Sequence, residues 1–173
     1  MKRTLGVLIA LCLALNFGQS SPAIAAAPYD ASTVMFAHMM IPHHQQAVLI
    51  SKLALKQSSN PVVKKLAAKI IAEQNPEILQ MQKWISADGM MGMDHAMQGI
   101  VSPSDLVKLK AARGKKFDGL YLVDMTLHHQ GAIAMATPLM KSMNPEVAAL
   151  SKSIVKGQTD EITEMRRIMM TGK

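Results

Sequence analysis

The chain repeats itself. Shifted by 85 residues, Phe36, Met40, His43, His44, Gln45 and Ala47 fall on Tyr121, Met125, His128, His129, Gln130 and Ala132. Shifted by 84, Asn60, Leu66, Ile70, Gln74, Glu77 and Met81 fall on Asn144, Leu150, Ile154, Gln158, Glu161 and Met165. Such a repeat is one supersecondary unit copied, and the one-residue slip is what a difference in loop length produces. Within each copy apolar residues recur at helical period with no strand-like alternation: Phe36, Met40, Ala47, Ile50 and Ala54, then Ile70, Met81 and Trp84; and Tyr121, Met125, Ala132, Met135 and Leu139, then Ile154, Met165 and Ile168. Asn60-Pro61 and Asn144-Pro145 each join an N-cap to a proline at the first helical position, so a hairpin turn precedes each. Two helical hairpins predict an all-α four-helix bundle, with halves at about 32–87 and 116–170 and a linker at 88–104.

The seams turn polar at mid-length. His43 and His128 sit there on the odd helices, and Gln74, Glu77, Gln158 and Glu161 on the even ones. His43 lies as far before the first hairpin turn as Gln74 lies after it, and parallel first and third helices set both histidine pairs at one depth. The expected layer is Met40, His43, His44, Gln74 and Glu77, mirrored by Met125, His128, His129, Gln158 and Glu161, with Ala47 and Ala132 leaving space beside it. Burying these groups is costly unless they satisfy one another or hold a ligand. Two readings follow: a hydrogen-bond network that fixes helix register, or a metal site.

Spacing supports the metal. Met40/His43 and Met125/His128 are i,i+3 pairs, and Met39/His43, Met40/His44 and Met125/His129 are i,i+4 pairs, so thioether and imidazole share a helix face. Di-iron bundles carry Glu-x-x-His where this chain has Met-x-x-His. Thioether sulfur selects Cu(I), and imidazole suits Cu(I), Cu(II) or zinc. Copper is the first expectation and zinc the second. Glu77, Glu161, Gln74 and Gln158 are alternative ligands or groups that orient the histidines, and His38, Met81, Met135 and Met165 could add donors.

The linker carries "GMMGMDHAMQG", in which Met90, Met91, Met93, His95 and Met97 lie within a glycine-rich stretch. A run of thioethers with no core to fill suits monovalent copper, and a hydrophobic docking loop is the alternative. Met35, Met169 and Met170 stand at the bundle ends. Pro42, Pro76 and Pro138 fall inside helical patterns, where each invites a kink. The sixteen methionines contrast with three Phe, two Tyr and one Trp, too few aromatics for base stacking; with no dense basic run either, nucleic-acid binding is not expected.

Lys2 and Arg3, an apolar run from Leu5 to Leu15 and the small residues Pro22 to Ala27 have the layout of a signal peptide over 1–25, cut after Ala25. The run is shorter than the roughly 20 residues that span a bilayer, so the mature domain, 26–173, is expected in the periplasm or secreted, with no membrane anchor. Cleavage removes Cys12, the one cysteine, and two of the charges behind the +7 net charge. No nucleophile motif, phosphate loop or cofactor fingerprint points to catalysis.

At "MIPHHQQA", "LHHQGAIAMA", "QNPEI" and "QTDEI" the chain resembles the bacterial domain-of-unknown-function family 305, DUF305. The resemblance spans almost all of the mature chain. It implies a ferritin-like bundle and, for methionine-rich exported members, periplasmic copper sequestration contributing to copper resistance, with ligands among the methionines and histidines named above. One position departs from the pattern: Gln46 stands where a glycine often occurs, whereas the second motif has Gly131. The expectation is a protein, not an enzyme, that sequesters or buffers copper, holding Cu(I) by Met/His sites and Cu(II) by histidines; hand-off to another copper-handling protein stays open beside sequestration. A dinuclear zinc or iron enzyme and a metal-free interaction module are the alternatives.

Overall fold

A computed structural model describes residues 29–85 and 98–172. The signal-peptide segment and Met90, Met91, Met93, His95 and Met97 therefore lie outside the described residues. The chain is all-α: α1 (Ala31–Gln57), α2 (Pro61–Ile85), α3 (Pro103–Ala111), α4 (Gly114–Ala136), a short 3-10 turn (Thr137–Lys141) and α5 (Pro145–Thr171). None of the described helices is long and apolar enough to cross a membrane.

Side chains set the helix starts. Asp30 accepts from the Thr33 amide at 2.7 Å. Asn60 accepts from the Val62 amide at 2.9 Å, ahead of Pro61. Asn144 accepts from Glu146 and Val147, ahead of Pro145. Each satisfies amides that the first helical turn leaves without partners. Gly172, at φ +70°, closes α5 in the left-handed conformation.

Two features differ from the sequence reading. Helix α3 begins inside the stretch assigned to the linker, because Ser102-Pro103-Ser104-Asp105 is a helix start in its own right: Ser102 accepts from the Asp105 amide at 3.1 Å. Its Leu109 packs with Phe117 and Tyr121 of α4 in the core. Pro138 does not kink a helix; α4 stops at Ala136 and the proline sits in the 3-10 turn, since it has no N–H to offer the next α-helical turn. Pro42 and Pro76 do lie inside α1 and α2.

Helices α1 and α2 pack together most closely, then α4 and α5; α1 also packs on α4, and α2 touches α5 only lightly. The core is divided in two. One apolar cluster holds Ala47, Ile50, Ile70, Phe117, Tyr121, Met125, Met165 and Ile168. The other holds Phe36, Met40, Met81, Trp84, Ala132, Ala136, Val147 and Ile154. Along every long helix the residues between the two clusters are polar: His43 and His44, Gln74 and Glu77, His128 and His129, Gln158 and Glu161. Burying each large apolar side chain in these clusters contributes about 1.5–3 kcal/mol, which offsets a polar layer across the middle of the domain.

Candidate metal centre

The four paired histidines are completely buried, and Gln74, Gln158 and Glu161 nearly so. The His43 and His128 rings, from α1 and α4, lie against each other with centroids 3.7 Å apart and planes tilted by 37°. Two cations could not share that contact. Burial, with the neighbouring His44 imidazole, pushes the His43 pKa down to about 3. Burial and His43 hold His128 well below the ordinary range. His129 is also lowered, chiefly by burial, although Glu161 opposes the shift. Neutral imidazole is the form that offers a lone pair to a metal.

Which nitrogen offers it follows from the hydrogen bonds. His43 Nε2–H donates to the Gln98 carbonyl at 3.0 Å. His44 Nε2–H donates to Glu77 at 3.0 Å, and His129 Nε2–H donates to Glu161 at 2.8 Å. A ring nitrogen facing a carbonyl or carboxylate oxygen carries the proton, which leaves Nδ1 as the lone pair. Nδ1 of all four histidines is buried without a hydrogen-bond partner, as is Nε2 of His128. Gln74 and Gln158 likewise hold their carboxamides buried and unpartnered. Glu77 and Glu161 thus act as carboxylates behind imidazoles, an arrangement that fixes ring orientation and raises ligand basicity.

Met40, Met81, Met125 and Met165 are fully buried, one pair in each apolar cluster. The Met165 sulfur already accepts from the Thr126 hydroxyl at 3.6 Å. Met39, His38 and Met135 are half-buried, and His38 Nε2 has no partner. Met35, Met169 and Met170 are exposed. Among the described residues no three His, Cys, Asp or Glu side chains stand close enough to enclose an ion. An ion here would have to draw further donors from thioethers or carboxamides.

A short strap crosses the histidine pair. The Gln98 carbonyl touches His43, and Gln46 grips Val101 at both backbone atoms, accepting from its N–H at 2.8 Å and donating to its carbonyl at 3.0 Å. Gly131 lets the strap seat: a Cβ there would lie 2.1 Å from the Gln98 oxygen. Gly99 has φ +75°, which favours glycine, and its own Cβ would lie 2.5 Å from the Leu127 carbonyl. The difference between Gln46 and Gly131 is therefore a division of labour, one gripping the strap and the other yielding room to it.

Comparison with known proteins places this architecture. The DUF305 model, described as a domain of unknown function, matches residues 33–169. The chain belongs to the DUF305 family. A crystal structure of a DUF305 fragment from Deinococcus radiodurans is similar at 29% identity, with a TM-score of 0.75 over 82% of this chain and 97% of that one. CopM in the Cu(II)-bound form is similar at 32% identity, with a TM-score of 0.70 over 82% of this chain and 97% of that one. CopM in the Cu(I)-bound form is 34% identical, with a TM-score of 0.67 over 78% and 93%. CopM has also been solved with silver. No curated protein matches the chain.

In this DUF305 chain the polar layer includes two groups absent from the sequence reading. Lys69 donates to Glu161 at 3.0 Å and to Glu73 at 2.9 Å. Its place at i, i+4, i+8 with Glu73 and Glu77 was a readable signal. The Gln98 carbonyl was not readable, because a backbone atom leaves no trace in residue type.

Proposed function

We propose that this DUF305 protein is an exported, ferritin-like four-helix bundle that sequesters or buffers copper, contributing to copper resistance or homeostasis without catalysing a reaction. Cu(I) is the cargo of the buried layer, taken by Nδ1 of His43, His44, His128 and His129 with the thioethers of Met40 and Met125, and Met39 close by in sequence. Cu(II) uses the histidines. The methionine-rich run 89–97, which leads directly into Gln98, supplies additional thioethers for uptake or for hand-off to another copper-handling protein. The signal-peptide layout of the N-terminus supports the exported location.

One observation carries the reading: four neutral or carboxylate-oriented imidazoles are buried with Nδ1 unpartnered, on the same two helices as the buried Met40 and Met125. Unpaired buried polar atoms are costly in a native core, and the donors together are soft to borderline. Similarity to CopM, whose structures include Cu(I), Cu(II) and silver forms, supports the same metal.

The test is anaerobic titration of the mature, metal-free protein with Cu(I) against a chromophoric chelator, with Zn(II) in parallel. Tight Cu(I) uptake with little zinc is expected. Met40→Leu, His43→Asn, Met125→Leu and His128→Asn together should remove the bundle copper while helicity persists. Unchanged stoichiometry in that variant would sink the placement. Tight zinc with weak copper would transfer the layer to histidine-carboxylate coordination, for which Glu77 and Glu161 are suitably placed.

A further inference from the structure

The two repeats place the same pair, histidine and glutamate, on either side of the layer, yet the pairs have unlike surroundings. Among the described residues the His44–Glu77 pair has no further ionic partner, and the Glu77 side chain is 15% exposed. His129–Glu161 is sealed, with Glu161 only 2% exposed, and Lys69 occupies its second oxygen. The cause lies in sequence. At the 84-residue shift that superposes Glu77 on Glu161, Lys69 falls on Ser153 and Glu73 on Gly157. The second repeat therefore has no lysine at the place equivalent to Lys69.

These differences face an open groove of about 680 Å³ between α2 and α5, where those helices touch only lightly. Glu77, Glu161, Lys69 and the unpartnered Gln74 and Gln158 all line it. It is a route by which an ion can reach both glutamates from solvent. On that route the second oxygen of Glu77 has no partner among the described residues, whereas the second oxygen of Glu161 holds the Lys69 ammonium, which Glu161 shares with Glu73.

We infer that the two histidine–glutamate arms fill in order from the α2/α5 groove, the His44–Glu77 arm first, because Lys69 bars the His129–Glu161 arm to a cation. This rests on the imidazole reading above and adds to it a residue that sets the order of loading. A cation that passes Glu161 toward the His129 imidazole must pass the Lys69 ammonium held there. A unit charge a few ångströms away in a half-exposed setting changes cation affinity by about tenfold. Such inequality gives the protein a readily filled site and a reserve site instead of two equal ones, and the filled site is the one nearer solvent.

The experiment is a titration of full-length mature protein, ¹⁵N-labelled at histidine, with silver(I) as a redox-inert stand-in for Cu(I), following each imidazole Nδ1 by NMR. The His44 signal should reach half-change at about tenfold lower free silver than the His129 signal. Lys69→Ser, which gives the first repeat the residue of the second, should bring the two together. Lys156→Ser removes the same charge from the same groove, where Lys156 pairs with Asp160 instead of an arm, and should leave the order intact. Equal filling in the native protein, an order that survives Lys69→Ser, or an equal effect of Lys156→Ser would overturn the inference and leave the imidazole site standing. A titration that moves no histidine signal would remove the imidazole reading itself, and this inference with it.

Discussion

Gly131→Ala should destabilise the protein, although alanine is the better helix former. The new Cβ would lie 2.1 Å from the Gln98 oxygen and 2.6 Å from its carbonyl carbon, both backbone atoms. Heavy atoms rest at roughly 3.5 Å, so the strap must retreat by about 1.4 Å. That movement breaks the bond of the Gln98 carbonyl to His43, which starts at 3.0 Å. Overpacking of this kind costs about 1–3 kcal/mol, and a buried group stripped of its partner about 1–3 kcal/mol more. Helix propensity returns about 1 kcal/mol, leaving a net loss of roughly 3 kcal/mol, or about 6–12 °C in Tm for a domain of this size. The same helix supplies the control. Gly119 has nothing within 4 Å of its Cβ position, so Gly119→Ala should gain up to about 1 kcal/mol. Thermal melts of the two metal-free variants by circular dichroism decide the matter. If Gly131→Ala melts at or above the native temperature, alongside Gly119→Ala, the strap does not sit on α4 as described.

Acid should weaken the metal-free protein early. Unfolded histidines take up protons near pH 6.5, whereas folded His43 refuses one until about pH 3 and His128 and His129 are also depressed. Stability is therefore complete above pH 6.5 and is lost as the pH falls toward 3, at up to about 1.4 kcal/mol per pH unit for each histidine. Glu161, held below its ordinary range against the opposing effect of burial by its bonds to His129 and Lys69, adds to the loss further down the scale. Guanidinium midpoints at pH 7, 5.5 and 4.5 should decline throughout; a flat profile would contradict the buried neutral imidazoles. Gln46→Ala should cost about 1–3 kcal/mol through its two lost bonds to Val101. Combined with Gly131→Ala it should cost less than the sum, since both loosen one strap, and additive melts would show that they act separately.

The helices and the polar layer were legible because they depend on period and on residue type. Asn60 and Asn144 marked their turns through the capping chemistry of their own side chains. His43 and His128 could be set at one depth by counting from those turns, and the rings do lie 3.7 Å apart. Helix α3 was hidden because its start signal, Ser102-Pro103-Ser104-Asp105, also reads as a loop when glycines and prolines surround it. The strap was hidden for a deeper reason. Its contacts to His43 and Gly131 are made by the backbone of Gln98, so the residue type of Gly131 did not show that another part of the chain fills the space beside it. The tautomers of the histidines depend on those same contacts, so the lone pairs could not be assigned from spacing alone.

The divided core bears on how such a chain can arise and fold. Each hairpin carries half of both apolar clusters and half of the polar layer between them. A lone hairpin has no surface of its own on which to bury its seam, but a second copy of itself, turned about a twofold axis, supplies the facing long helices, to which the strap and α3 add Val101 and Leu109. A homodimer of hairpins is thus the simplest ancestor consistent with the present contacts, and fusion into one chain freed its two copies to diverge. Lys69 and Glu73 facing Ser153 and Gly157 are what a symmetric dimer could never have held, since any lysine there would have appeared twice.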